Sequence, residues 1–318
     1  MLVDGQWQGK FQPVQDRDDQ GGFVRQPSQF RRWIGDDGLP PQPRRYRLYV
    51  ALTCPWASRV LAVRRLKGLE EVIPLTIVAP ALTDQGWAFD DFPGSSGSDP
   101  EHGARYLHEL YSHADPSYTG RATVPLLWDT AEHTAVNNES ADLVRMLNSA
   151  FDELLPPERA AVDLRPEGLR EAIDELNEWM YPRVNNGVYR CGFATTQAAH
   201  DEAVSTLFDA LDSLEDRLLN EGPYLHGEVL TESDIRLFVT LIRFDVAYHG
   251  LFKTNLRQIR DYPALAAHTG RLYEHPDIRP TVDFDHIRHG YYSIKALNPT
   301  RIVPRGPKAI LHGIMVDG

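Results

Sequence analysis

The sequence predicts an α/β domain followed by an all-α domain, and three observations point there. Strand and helix signals run in the order β-α-β, then β-β-α, through the first half of the chain. From Gly168 onward strand signals nearly vanish and long amphipathic segments take over. At 318 residues the chain is long enough for each half to bury a core of its own.

Residues 1–45 are rich in Gly, Gln, Asp, Arg and Pro without a sustained period, and read as an N-terminal extension lying extended on the surface. Residues 46–52 alternate and are rich in β-formers, the mark of a strand. Thr53-Cys54-Pro55-Trp56 is a turn, and 57–67 a helix stopped by Gly68. Residues 72–78 give a second strand. A long insertion from 79 to about 118 holds a loop at 93–97 and a short helix over 105–112. Strands at 124–128 and 134–136 and a helix over 139–148 complete residues 46–150, an order that is thioredoxin-like. The all-helical domain with its C-terminal extension spans 165–318, with amphipathic segments at 169–181, 197–220, 232–248 and 262–275. Thr231-Glu232-Ser233-Asp234 before an apolar run fits a helix N-capping box, which is structural. The tail from Asp277 carries prolines and aromatics and is expected to pack back on the body.

Bulk properties exclude several function classes. No stretch reaches the roughly 18 apolar residues that a membrane span needs. A net charge of −12 argues against nucleic acid, whose phosphates call for clustered Lys and Arg. The start MLVDGQWQGK lacks the basic and apolar blocks of a secretory signal, so a cytoplasmic location is expected. Two cysteines, Cys54 and Cys191, are too few for a disulfide framework and suit a reducing compartment.

A lone cysteine is by default a small buried hydrophobe. Cys54 differs by position, because it lies between a strand and the first turn of a helix, with Pro55 at or near the first helical residue. A thiol there faces unpaired backbone N–H groups and the positive end of the helix dipole, and both favour the nucleophilic thiolate. Arg59 is close enough in sequence to add to this, and equally suits a surface charge. The fourth position of the turn is Ala57, so a disulfide formed at Cys54 must be resolved by an external thiol, glutathione being the abundant cytosolic one. In a thioredoxin-like domain Val124-Pro125 is a candidate cis-proline pair, which would leave the Val124 backbone free to pair with the peptide part of glutathione; taken alone an X-Pro bond is usually trans and structural. Asn138-Glu139-Ser140 opens a helix, where N–H groups and hydroxyls suit a carboxylate and Glu139 suits an ammonium; taken alone, plain helix capping is the commoner explanation.

Taken together the motifs resemble the glutathionyl-hydroquinone reductases, the Xi class of glutathione transferases. The resemblance rests on Cys54-Pro55-Trp56-Ala57, on GRATVPLLWD from Gly120 to Asp129, and on Val136-Asn137-Asn138-Glu139-Ser140. It continues through Asn185-Asn186-Gly187-Val188-Tyr189, LTESDIRLF from Leu230 to Phe238, Arg243-Phe244-Asp245, and NPTRIVP from Asn298 to Pro304. It implies the glutathione transferase architecture, glutathione as co-substrate, glutathionylated hydroquinones as substrates, no metal, and a homodimer made largely through the helical domain. It implies Cys54 as nucleophile, and Trp87, Val124, Glu139 and Ser140 as glutathione-binding, with Arg121 a further candidate. Tyr189 and one of Tyr291 and Tyr292 would line an aromatic site. Two positions depart from the family pattern: Ser58 stands where His is common, and His108 where an arginine is expected, Arg105 lying one turn earlier. Rival readings are an omega-like thioltransferase or dehydroascorbate reductase, and a non-catalytic module of the same fold.

Overall fold

A computed structural model describes residues 1–9, 16–35, 38–311 and 314–315 of the chain. The chain divides into two compact units, Met1–Pro13 with Pro27–Asp163, and Val14–Gln26 with Leu164–Gly318.

The first unit is built on a four-stranded sheet of β1 (Tyr46–Val50), β2 (Leu75–Ile77), β3 (Leu126–Asp129) and β4 (Thr134–Asn137), in the order β2-β1-β3-β4. β1 pairs parallel with β2 and antiparallel with β3, which pairs antiparallel with β4. Both central strands are nearly continuous hydrophobic runs, as strands covered on both faces must be. Helix α1 (Pro55–Leu66) makes the crossover from β1 to β2, and α3 (Ser140–Ser149) follows β4 and packs on α1. α1 closes through Gly68, whose φ of +67° only glycine adopts without cost. The insertion carries α2 (Leu107–Ala114). This is the thioredoxin-like arrangement expected from the order of elements.

The second unit is helical: α4 (Arg170–Met180), α5 (Gly187–Phe193), α6 (Gln197–Glu221), α7 (Glu232–Arg243), α8 (Pro263–Glu274) and α9 (Phe284–Tyr292). Every residue of α7 is buried. The capping box forms as expected, and the Asp234 carboxylate accepts from the Thr231 and Leu225 amides and meets His268 at 3.0 Å. Those contacts hold its pKa below the ordinary carboxylate value against the opposing effect of burial.

Three features depart from the expectations. The N-terminal segment is not simply an extended surface arm: it forms short hairpins at Leu2–Val3/Gln6–Trp7 and Asp16–Arg17/Phe23–Val24, and Leu2, Phe23, Ile34 and Leu39 are buried. Isolated apolar residues among polar ones show no period, so burial anchored by single side chains leaves no pattern. α5 and α9 are short, and α5 starts and nearly ends on glycine, which weakens a helical signal. Third, the segment expected to run helical to Tyr248 passes at Phe244–Tyr248 into a π-helical turn. Among the described residues, no helix is long and apolar enough to cross a membrane, and no group of three His, Cys, Asp or Glu is placed to hold a metal ion.

Candidate active site

Cys54 is the N-cap of α1, in extended backbone conformation, with Pro55 as the first helical residue. Its amide donates to the Ala51 carbonyl and its own carbonyl accepts from Ser58, so the turn is fixed on both sides of the thiol. The side chain is half-buried, and Sγ lies 3.6 Å from the Val124 carbonyl, which accepts from the thiol. The Val124-Pro125 bond is cis, as expected for this pair in a thioredoxin-like domain. Val124 stands two residues ahead of β3, outside the ladder. The first N–H groups of α1 have no intrahelical acceptor, which makes this a favourable place for a sulfur anion.

Opposite α1, the start of α3 is organised by buried charge. Arg59 proves not to be a surface residue: its side chain is 3% exposed. It donates from Nε and Nη2 to Ser140 Oγ at 3.1 and 2.6 Å, approaches Glu139 at 3.8 Å, and lies 5.0 Å over the Trp56 ring. With both lone pairs of its hydroxyl engaged, Ser140 is left as a hydrogen-bond donor, the role that an incoming carboxylate requires. Glu139 caps α3 by accepting from the Ala141 amide, and its second oxygen accepts from the Ser28 hydroxyl at 3.0 Å. Capping is therefore real here, and it aims the carboxylate as well as closing the helix. Asn138 donates to the Tyr111 hydroxyl, which in turn donates to the Thr123 carbonyl at 2.7 Å, tying α2 and the β3 approach to the same helix start.

The remaining expected positions in this unit have clear settings. Trp87 is buried, its carbonyl accepting from the Leu107 amide. Arg121 is half-buried near the Met1 amino group, whose pKa is lowered by burial and then by this guanidinium. His108 is stacked at 4.4 Å on Trp7 and at 5.6 Å with Tyr106, and its Nε2 meets Gln85 at 3.1 Å. Arg105 is exposed, over the Tyr106 ring. Ser58 is buried, its hydroxyl directed at the Leu52 carbonyl.

The second unit holds a separate cluster of phenols. Tyr189 and Tyr248 each place their hydroxyl 2.7 Å from that of Tyr291, making a chain of three. Tyr248 and Tyr291 are buried, and desolvation pushes both well above the ordinary phenol pKa, so both stay protonated. Tyr189 is half-buried and forms the outer end. Tyr292 stands apart, its hydroxyl against Gly250. Cys191 is buried, and burial pushes its thiol up to about 12, which leaves it inert.

Sequence reasoning did not single out Ser28 or Tyr248. Ser28 lies in the aperiodic N-terminal segment, and Tyr248 ends a long amphipathic run where an aromatic reads as core.

Comparison with known proteins finds glutathione transferases over both halves of the chain. The glutathione S-transferase N-terminal domain model matches residues 53–150, and the C-terminal domain model matches 197–271. The chain is 47% identical to the glutathionyl-hydroquinone reductase PcpF of Sphingobium chlorophenolicum, covering 100% of this chain and 99% of that protein. It is likewise 47% identical to the glutathionyl-hydroquinone reductase YqjG of Escherichia coli, over 96% of this chain and 94% of the relative. Among solved structures, the Xi transferase of Phanerochaete chrysosporium superposes with a TM-score of 0.89 at 49% identity, covering 92% of this chain and 95% of that one. The chain belongs to the Xi class of glutathione transferases. A glutathione-bound structure of the Escherichia coli relative has a TM-score of 0.86 at 44% identity, covering 96% and 95% of the two chains. Within this Xi-class chain, the Cys54 turn and the α3 start fall inside the N-terminal domain match, and Tyr248 inside the C-terminal one.

Proposed function

We propose that this chain is a glutathione-dependent reductase of glutathionyl-hydroquinones, with Cys54 as its nucleophile. The carrying observation is a single half-buried thiol on the N-cap residue of α1, with no second cysteine in its turn. Such a thiol must pass through a mixed disulfide that an external thiol resolves. The activity of its glutathionyl-hydroquinone reductase relatives supplies the partner chemistry, since such substrates already carry glutathione on sulfur.

The reaction follows. A ring hydroxyl gives up its proton while the sulfur-bearing ring carbon gains one, giving a dienone. The Cys54 thiolate attacks the glutathionyl sulfur, an S–S bond forms and the C–S bond breaks. Its electron pair returns to the ring, and the hydroquinone leaves as its phenolate and is protonated. A second glutathione thiolate attacks the Cys54 disulfide, giving oxidised glutathione and free Cys54. Net, one glutathione thiol and the thioether sulfur of the conjugate end as oxidised glutathione, and the ring carbon is reduced from C–S to C–H.

In this reading Ser140 and the first N–H groups of α3 hold the γ-glutamyl carboxylate, and Glu139 pairs with its ammonium. The Val124 backbone pairs with the peptide portion, Trp87 packs against it, and Arg121 is a further charge for the glycyl end. Tyr189 donates to a ring oxygen and assists proton transfer, with Tyr291 behind it donating to Tyr189; Tyr291 is better supported in this role than Tyr292 because its hydroxyl joins that of Tyr189. A cytoplasmic homodimer joined through the helical domain completes the proposal. The test is incubation with glutathione and glutathionyl-menadiol, followed by chromatography. Release of menadiol with stoichiometric oxidised glutathione supports the reading, and an unchanged conjugate overturns it.

A further inference from the structure

The phenol chain has a cation built against its outer end. Arg25 lies with its guanidinium carbon 5.0 Å over the Tyr189 ring and 5.5 Å over that of Phe23, and its Nε donates to Asn186 Oδ1 at 3.0 Å. The segment bearing it is bolted in place. The Gly21 carbonyl accepts from the Thr195 amide and hydroxyl, both at 3.1 Å, and the Gln20 carbonyl accepts from Thr196 Oγ1 at 2.9 Å. Gly21 has a φ of +86°, and a Cβ there would meet Thr195 Oγ1 at 2.7 Å, so only glycine fits. Phe23 is buried against Phe193, whose ring stacks with Tyr189. A half-buried arginine held by this much structure is not a solvated surface charge.

A cation over a phenol draws on its π electrons and strengthens the hydroxyl as a hydrogen-bond donor. In a chain of three phenols only one arrangement delivers a proton outward: Tyr248 donates to Tyr291, Tyr291 to Tyr189, and Tyr189 to whatever lies beyond. Hydrogen bonds aligned this way polarise one another. Among the charges acting on the chain, the buried guanidinium of Arg243 lies on the side of Tyr248 and Tyr291. Arg25 lies on Tyr189 itself.

Resting on the reductase reading, we propose that Arg25 is a positioning residue that biases the Tyr248–Tyr291–Tyr189 chain to donate outward, so that it stabilises negative charge on the hydroquinone oxygen as the C–S bond breaks. Its benefit is greatest for substrates whose oxygen bears charge poorly. The enzyme is therefore suited to alkyl- and alkoxy-substituted hydroquinones as well as to the more acidic halogenated ones.

The test compares wild type with Arg25→Met and Arg25→Lys on a series of glutathionyl-hydroquinones ranging from methyl- to chloro-substituted. Arg25→Met is expected to lower kcat about tenfold on the methyl-substituted members and less on the chlorinated ones, with KM nearly unchanged. A plot of log kcat against hydroquinone acidity then becomes steeper. Arg25→Lys, which keeps the charge, restores most of the loss. Turnover of hydroxyethyl disulfide with glutathione, which has no ring oxygen, stays at the wild-type level and reports that Arg25→Met is folded. An unchanged slope, or equal losses on both substrate types, overturns the assignment. Failure of the wild type on every conjugate would instead overturn the reductase reading.

Discussion

Replacing Arg59 with Met should damage both stability and glutathione affinity, by amounts the structure sets. The side chain is 3% exposed and donates two hydrogen bonds to Ser140 Oγ, while its charge stands 3.8 Å from Glu139. Hydrogen bonds to a charged group are worth about 1.5–3 kcal/mol net, and removing the donor strands a buried hydroxyl. Methionine refills most of the volume, so cavity cost is small. The expected destabilisation is about 3 kcal/mol, read as a lower urea midpoint with unchanged slope. Ser140 also loses the partner that orients it as a donor, so KM for glutathione should rise roughly tenfold, the equivalent of one charge-assisted hydrogen bond. Arg59→Lys keeps the charge but lacks the forked geometry and should recover only part of each effect. A variant within 0.5 kcal/mol of wild type and with the same KM would refute the idea that Arg59 organises the start of α3.

Other perturbations follow from the same structure. Cys54→Ser should abolish reductase turnover with the circular dichroism unchanged, whereas Cys191→Ala should retain most activity. With a thiol reagent near neutral pH, native protein should titrate one cysteine and denatured protein two, because burial pushes the Cys191 thiol up to about 12. Tyr291→Phe removes both hydrogen bonds of the phenol chain and leaves the Tyr248 hydroxyl buried. It should cost about 2 kcal/mol of stability and lower turnover on glutathionyl-hydroquinones while sparing hydroxyethyl disulfide; equal losses on both would mean that Tyr291 supports the fold or the glutathione site, and no loss on either that the ring sits elsewhere. Burial raises the Asp245 carboxyl to about 6, so the native state holds this proton more tightly than the unfolded chain and its ionisation opposes folding as pH climbs. The melting temperature of Asp245→Asn relative to wild type should therefore increase between pH 4.5 and 7.5, and a flat difference would count against that.

The thiol half of the site was legible in the sequence because its signals are local. A strand, a Cys-Pro turn and a helix in succession specify the N-cap position of Cys54 without any long-range contact. Glu139 and Ser140 were legible for the same reason, as the opening of a helix. What could not be read was pairing across distance. Nothing near Arg59 announces that Ser140, 81 residues on, will accept its hydrogen bonds. Tyr291 and Tyr292 are adjacent and chemically identical, so only the turn of α9 decides which hydroxyl reaches Tyr189, and it is Tyr291. Tyr248 was hidden inside an amphipathic run whose π-helical turn has no compositional mark. The N-terminal segment was the least legible, since its order comes from single buried anchors such as Phe23 rather than from a repeating pattern.

That segment also bears on how the protein is made. The Gly21 turn and Arg25 leave the ribosome early, yet their partners lie 161 to 176 residues further along. At the usual pace of synthesis, about 5–20 residues per second, they wait roughly 10–30 s for Asn186, Thr195 and Thr196 to emerge. The sheet and α1, by contrast, find most of their partners within the first 150 residues. The first unit can thus mature while the chain is still growing, with the stretch around Phe23 left open and able to engage chaperones until α5 and α6 arrive to receive it.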